Sequence, residues 1–244
     1  LQVRQKKQYL KISEENIKFE YITLKHIENH KRKKRCMKNN TIEQINTPSG
    51  RLYKTPEGKC YPSATTVVGI LNKKKIEEWK QKVGEEEANK VSKWASEHGT
   101  RFHELMENTL QHGTQSIDLF NEFCVVYPKL LRDIYPQISN VVAIEERMYS
   151  DSLEVAGTAD LIAEWKGELA ILDWKTSRHK KAPSDCLSYW LQLASYAVML
   201  KERKGLDAKK LVLLFNENDE DCYYYEQSNI QLWIERFKKI REIY

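Results

Sequence analysis

Two apolar runs separated by Lys166-Gly167 dominate the hydrophobic pattern of this chain. Residues 154–165 (EVAGTADLIAEW) and 168–175 (ELAILDWK) both read as strands. A two-residue connection ending in Gly suits a hairpin turn whose second residue needs φ > 0. With Trp165 opposite Glu168, that register brings Asp160 to face Asp173. The apolar set Ala159, Leu161, Ala163, Ala170, Leu172 and Trp174 indicates a strand pair buried on both sides.

The remaining periodicities predict what surrounds the hairpin. Residues 85–111 read as one long helix with Phe102, Leu105, Met106 and Thr109 inward, and residues 116–134 as another. The stripe of the second comprises Leu119, Phe120, Phe123, Val126, Tyr127, Leu130 and Leu131. Residues 184–203 predict a largely buried helix opened by Ser184 as N-cap. A hairpin with a Pro-Glu-Gly turn is expected over 50–62, then short helices over 63–71 and 75–83, the latter interrupted by Gly84. Strands over 140–149, 209–216 and 221–226 and an amphipathic helix over 228–243 complete the series. The order is helices, three strands, helix, two strands, helix. That order predicts an α/β core with a central mixed sheet flanked by helices, preceded by an N-terminal helical region.

Directly opposed side chains in a hairpin stand about 4.5–5.5 Å apart at Cβ, and like charges there repel. Two carboxylates face to face inside an apolar hairpin therefore need neutralising, and a hard divalent cation suits oxygen ligands. Lys175, two residues after Asp173, falls on the same face. On the long helix, Gly99, His103 and Glu107 recur at i, i+4, i+8 and share one stripe. Gln192 and Tyr196 are polar groups four apart on a packed helix and need partners.

Taken in order, GxxxHxxxE (Gly99, His103, Glu107), GxxD (Gly157, Asp160), DxK (Asp173, Lys175) and QxxxY (Gln192, Tyr196) resemble the RecB-type branch of the PD-(D/E)XK nucleases. Upstream, Tyr61–Val68, Glu78-Trp79-Lys80 and Gly99–His103 are similar to the mitochondrial genome maintenance exonucleases and their phage relatives, so the resemblance covers roughly residues 50–243. It implies a restriction-endonuclease-like core and a Mg²⁺- or Mn²⁺-dependent deoxyribonuclease. His103, Asp160, Asp173 and the backbone carbonyl of Trp174 would hold the metal, and Lys175 would orient or activate the attacking water. Gln192 and Tyr196 would position the strand and the lysine. Glu107 would support His103 or a second metal, and an acid of the preceding strand, Glu145 or Glu146, would assist. Arg101, Thr158, Thr176 and Ser177 would contact nucleic acid. One departure is visible: Ala159, not Pro, precedes Asp160, as is common in that branch.

The resemblance further implies an exonuclease acting on single-stranded DNA ends in replication, repair or recombination, with a helical arch through which one strand threads. Trp79, Trp94, Phe102 and Tyr127 are stacking candidates in such a passage, though each reads more simply as core. A flap or structure-specific endonuclease of the same fold is one alternative; a nucleic-acid-binding module without catalysis is another. Retention of His103, Asp160, Asp173 and Lys175 weighs against the second.

Composition adds three constraints. The net charge of +5 over 244 residues is uneven: residues 1–40 carry 12 Lys/Arg against 4 Asp/Glu, leaving 28 against 31 for the remainder. The densest basic run, Lys31–Arg35, makes Lys33, Lys34 and Arg35 candidates for phosphate contact. Residues 1–48 therefore read as a basic extension and 49–244 as the nuclease domain. Five scattered cysteines with no CxxC lack the spacing for zinc or an iron–sulfur cluster and suit reduced thiols in an intracellular protein. No apolar run of membrane-spanning length occurs. A monomer is expected, working with replication or recombination proteins, in a phage-infected bacterial cytoplasm or the mitochondrial matrix. The chain opens on Leu rather than Met, which fits a processed or partial sequence and leaves open a removed targeting segment.

Overall fold

Lys166 and Gly167 both adopt left-handed backbone angles, φ 52° and 83°. This is the two-residue geometry whose twist matches paired antiparallel strands. The computed structural model describes residues 42–48, 50–118 and 121–244; Lys33, Lys34, Arg35, Leu119 and Phe120 lie outside them. The turn joins β5 (Val155–Trp165) to β6 (Glu168–Ser177) in the expected register, with Trp165 opposite Glu168, Ala163 opposite Ala170 and Leu161 opposite Leu172.

These strands belong to a five-stranded sheet of order β4-β5-β6-β7-β8, completed by β4 (Ile138–Ser150), β7 (Lys210–Glu217) and β8 (Asp221–Gln227). Only β6 and β7 run parallel, so the sheet is mixed. Parallel neighbours need a long crossover. A helix spanning Leu187–Lys204 supplies it. Period-2 alternation along β6 sends Ile171 to one core and Leu172 to the other. The first core packs on the crossover helix and on the C-terminal helix Ile230–Ile243 through Trp233 and Phe237. The second packs on the long helix Glu85–His112 through Phe102 and Met106, and on Val126–Asp133 through Leu130 and Leu131.

A second, three-stranded sheet precedes this core: β1 (Glu43–Thr47), β2 (Gly50–Lys54) and β3 (Cys60–Pro62). The sequence pattern did not separate β1 from the basic extension. Tyr53 and Tyr61 meet Tyr149 and Ala156 of the main sheet, which docks the small sheet against it. Among the described residues the helices are α1 (Ala64–Gly69), α2 (Lys73–Val83), α3 (Glu85–His112), α4 (Val126–Asp133), α5 (Leu187–Lys204) and α6 (Ile230–Ile243). Ser63 caps α1 by accepting from the Thr66 amide at 2.9 Å.

Two expectations are corrected. The helix expected over 116–134 is confined to α4, because Pro128 is tolerated only in a first turn and would clash with a preceding helical carbonyl. Ser184 does not cap α5: Pro183–Cys186 forms a 3-10 turn, and Cys186 occupies the cap position.

Asp151, in the tight β4–β5 connection, ties the two sheets to α5. Lys59 reaches it at 2.7 Å, the Tyr61 hydroxyl donates at 2.8 Å, and Arg203 donates at 2.9 Å. Hydrogen bonds from Lys59 and Tyr61 hold its carboxyl down at about 2. A depressed folded pKa contributes stability above the unfolded value, here 3.8, and that contribution fades as pH falls toward about 2. Asp151→Asn should therefore lower Tm at neutral pH by about 2–4 °C, with the difference from the parent closing in acid. Equal Tm values at neutral pH in a thermal scan would rule out this role.

Candidate active site

The antiparallel ladder between β5 and β6 has Leu161–Leu172 as its last pair. Asp160 and Asp173 stand at the next position, where the strands cease to pair. In place of a ladder bond, the Trp174 amide donates to Asp160 Oδ2 at 2.9 Å. On its other side β6 stays paired with β7 through Asp173–Leu213 and Lys175–Phe215. The opening thus lies on one edge of a strand that is otherwise held.

Asp173 is 1% exposed. One carboxylate oxygen forms a close ion pair with Lys175 Nζ, while Oδ1 has no hydrogen-bond partner among the described residues. Burial pushes the Asp173 carboxyl up, Lys175 opposes that rise, and nearby Asp160 adds to it. For Lys175, loss of water favours the neutral amine, but Asp173 and Asp160 outweigh it and the pKa rises. Lys175 is therefore a cation here, with its Nζ also 5.0 Å from the Tyr189 ring centroid.

A ligand cluster adjoins this pair. His103 of α3, Glu145 of β4 and Asp160 of β5 each present an atom, all within 4.8 Å of one another. His103 Nδ1 lies 3.4 Å from Asp160 Oδ2. Glu145 has φ 48°, an uncommon value for a residue with a side chain. It follows a register shift between Ser139 and Ala143 and sits between the paired residues Ile144 and Glu146. Local strain of this kind is kept only where the surroundings over-determine it. Of the two acids the sequence left open, Glu145 enters the cluster, whereas Glu146 pairs with Lys204 at 2.7 Å. Withdrawal from water, then repulsion from Asp160, Glu107 and Asp173, pushes Glu145 up to about 7. Because the residue stays exposed to the cleft, repulsion is the part a cation would relieve. Two carboxylates and an imidazole suit Mg²⁺ or Mn²⁺, and the unpartnered Asp173 oxygen next to them fits the same need for a cation.

Behind the acids, Gln192 Nε2 donates to the Tyr196 hydroxyl at 3.0 Å. Burial, then the charge of Asp173, raises the Tyr196 pKa well above the ordinary phenol value, so the hydroxyl stays protonated. Gly157 explains its own place in the GxxD pattern: a Cβ there would lie 2.6 Å from Tyr196 Cε1. Gly99 carries no such demand, since its nearest neighbour would be Thr176 Oγ1 at 3.8 Å, an ordinary contact.

The site residues open onto a cleft of about 570 Å³. His103, Glu107, Glu145, Thr158, Asp160, Asp173, Lys175, Gln192 and Tyr196 all line it. Glu107 accepts from Gln111 at 2.6 Å, and Thr158 meets the Tyr53 hydroxyl at 3.2 Å. Arg101 instead forks onto Glu122, with Nη2 at 3.0 Å, and does not line the cleft. Thr176 pairs with Asn216 in the sheet, and Ser177 donates to the His179 carbonyl. Trp174 is buried, with its ring perpendicular to that of Phe102. Phe102 and Tyr127 are core residues, Trp79 is half-buried and Trp94 is exposed. Sequence reasoning missed Arg51 and Arg147, which line the cleft from β2 and β4. Alternation in GRLYK places Arg51 and Tyr53 on one face of β2, but no local signal says which surface that face covers.

Residues 128–242 match the PD-(D/E)XK nuclease superfamily. Among curated proteins, the chain is similar to mitochondrial genome maintenance exonuclease 1 of Homo sapiens, at 31% identity over 130 residues, covering 49% of this chain and 38% of that protein. The mouse protein of that name is 27% identical over 110 residues, covering 43% of this chain and 32% of that protein. The Xenopus tropicalis protein is 27% identical over 129 residues, covering 50% and 36%. The matched segment thus spans under two-fifths of each relative's length.

Gly157→Ala should displace the buried Tyr196 ring and cost about 1–3 kcal/mol through overpacking. Chemical denaturation would detect this as a lower midpoint with unchanged slope. An unchanged midpoint would show that the ring yields freely.

Proposed function

We propose that this chain, which carries a PD-(D/E)XK nuclease superfamily domain and is a distant relative of mitochondrial genome maintenance exonuclease 1, is a divalent-metal-dependent deoxyribonuclease. It hydrolyses phosphodiester bonds from the ends of single-stranded DNA, in replication, repair or recombination. The observation that carries the reading is the convergence of His103, Glu145 and Asp160 beside a protonated Lys175 at the parting of β5 and β6. Exonuclease action and a DNA substrate are drawn from the relatives' name.

His103, Glu145 and Asp160 would hold Mg²⁺ or Mn²⁺, with Asp173 and the Trp174 carbonyl adjoining on β6. A bound cation of this kind lowers the pKa of its water and offsets charge on phosphoryl oxygens. Lys175 supplies a fixed positive charge at the same place, which stabilises charge developing on the phosphate more strongly in a cleft than in open water. Asp173 keeps the lysine aimed and charged. Gln192 and Tyr196 brace the floor beneath, and Glu107 adds negative charge that strengthens the demand for a cation. Thr158 lines the cleft and is placed to meet the strand; Thr176 and Ser177 follow Lys175 along β6, and Arg101 would have to release Glu122 first. The basic run that includes Lys33, Lys34 and Arg35 supplies non-specific attraction to phosphate. Among the described residues no helix is long and apolar enough to cross a membrane.

Purified protein should degrade a linear single strand in Mg²⁺ or Mn²⁺, spare a circular one and stop in EDTA. Lys175→Ala and Glu145→Gln should each lower the rate by about 10²-fold or more. The two variants differ in burial, so a folding defect in one does not excuse the other. Undiminished cleavage in EDTA, or by either variant, would sink the catalytic assignment. Cutting of the circle would instead make the enzyme an endonuclease.

A further inference from the structure

The segment immediately after β6, Arg178-His179-Lys180-Lys181, is not used by the chemistry above. Three of its cations each lie over an aromatic ring. Arg178 sits 5.1 Å from the centroid of Trp94, Lys180 is 5.1 Å from that of Tyr223, and Lys181 is 6.0 Å from that of Tyr189. Tyr189 also carries Lys175 at 5.0 Å, so the series continues into the active site. The backbone beneath is fixed: the Tyr223 hydroxyl accepts from the Lys181 amide at 2.9 Å, and the Tyr225 hydroxyl donates to the Lys181 carbonyl at 2.8 Å.

Among the described residues, none of Arg178, Lys180 and Lys181 forms a side-chain ion pair, although residues 41–244 carry 31 acids against 28 Lys/Arg. Trp94, 45% exposed, stacks on buried His98 at 4.7 Å and carries the Arg178 guanidinium over its ring. Its helix neighbours Ala95, Ser96 and Gly99 line the catalytic cleft, so the ring stands at the cleft's rim. Exposed cation–aromatic pairs are weak, and a phosphate can draw the cation off while a base takes its place on the ring.

We propose that Arg178, Lys180 and Lys181, with Trp94, Tyr189 and Tyr223, form a binding strip for single-stranded nucleic acid that leads to Lys175. The cations track consecutive phosphates, and Trp94 offers a platform for an unstacked base. A duplex keeps its bases stacked inward and cannot use that platform, so the strip selects single strands beside the reaction centre. This rests on the nuclease reading for its purpose, but not for its test.

The test measures affinity of the full chain for a fluorescein-labelled oligothymidylate of about 20 nucleotides, and for a duplex of equal length, in EDTA. Hydrolysis of bis(p-nitrophenyl) phosphate in Mn²⁺ is followed in parallel. Arg178→Ala/Lys180→Ala should weaken single-strand binding by roughly tenfold or more and flatten the log–log salt dependence by about 1.4. Trp94→Ala should weaken it by roughly tenfold with the salt slope intact, and Trp94→Phe should restore most of the loss. Hydrolysis of the small ester should be unchanged in all three. Parent-like single-strand affinity and salt slope in the double variant would overturn the strip while leaving the nuclease reading intact. Equal losses of single-strand and duplex affinity in Trp94→Ala would overturn the stacking platform. Lost binding in these variants of a parent that hydrolyses neither substrate would uphold the strip and discard the catalytic reading.

Discussion

A buried carboxylate with one oxygen unpartnered is the constraint around which this protein is arranged. Asp173 is held out of water by the sheet and by α5, and among the described residues Lys175 is its ion-pair partner. Leaving such a charge without its partner costs about 3–5 kcal/mol. Asp160, Glu145 and Glu107 raise the local negative potential further, and withdrawal from water together with that crowding raises the Glu145 carboxyl. Packing alone does not favour such an arrangement. It is stable in one form when Lys175 neutralises Asp173, and it presents an open demand for a second positive charge beside it.

The scaffold meets this constraint by anchoring each acid to a different element. Parallel pairing with β7 fixes Asp173 and Lys175 in register, and the Trp174 amide fixes Asp160 after the β5–β6 ladder has ended. A left-handed residue in β4 brings Glu145 into the group, and α3 delivers His103 across the gap. Gly157 and Tyr196 complete the support, because the missing Cβ on β5 is the space the buried ring occupies. Two of the short motifs are thus halves of one contact.

Much of the central fold was legible in the chain itself. The Lys166-Gly167 turn, flanked by apolar runs, specified the hairpin register as far as Leu161–Leu172; beyond it the strands part, and Asp160 accepts from the Trp174 amide. Helix α3 could be placed because its apolar stripe and its Gly99-His103-Glu107 stripe repeat at helical spacing. The helix expected over 116–134 begins only at Val126, because the apolar periodicity runs through Pro128, whose ring disfavours a helical turn before it. The cap at Ser184 failed because a 3-10 turn intervenes.

What local pattern determined was which residues share a strand, a turn or a helix face, since those relations depend on covalent spacing and backbone sterics. It could not choose Glu145 over Glu146, because both lie in one polar stretch, and only the packing of β4 against β5 and α5 shows that the first meets Asp160 and the second Lys204. It could not place Arg51, Arg147 or Trp94 at the cleft and its rim either, nor assign Arg101 to Glu122. Those outcomes depend on how separate elements pack and which charges meet across them, and energies of that kind exist only once the chain has folded.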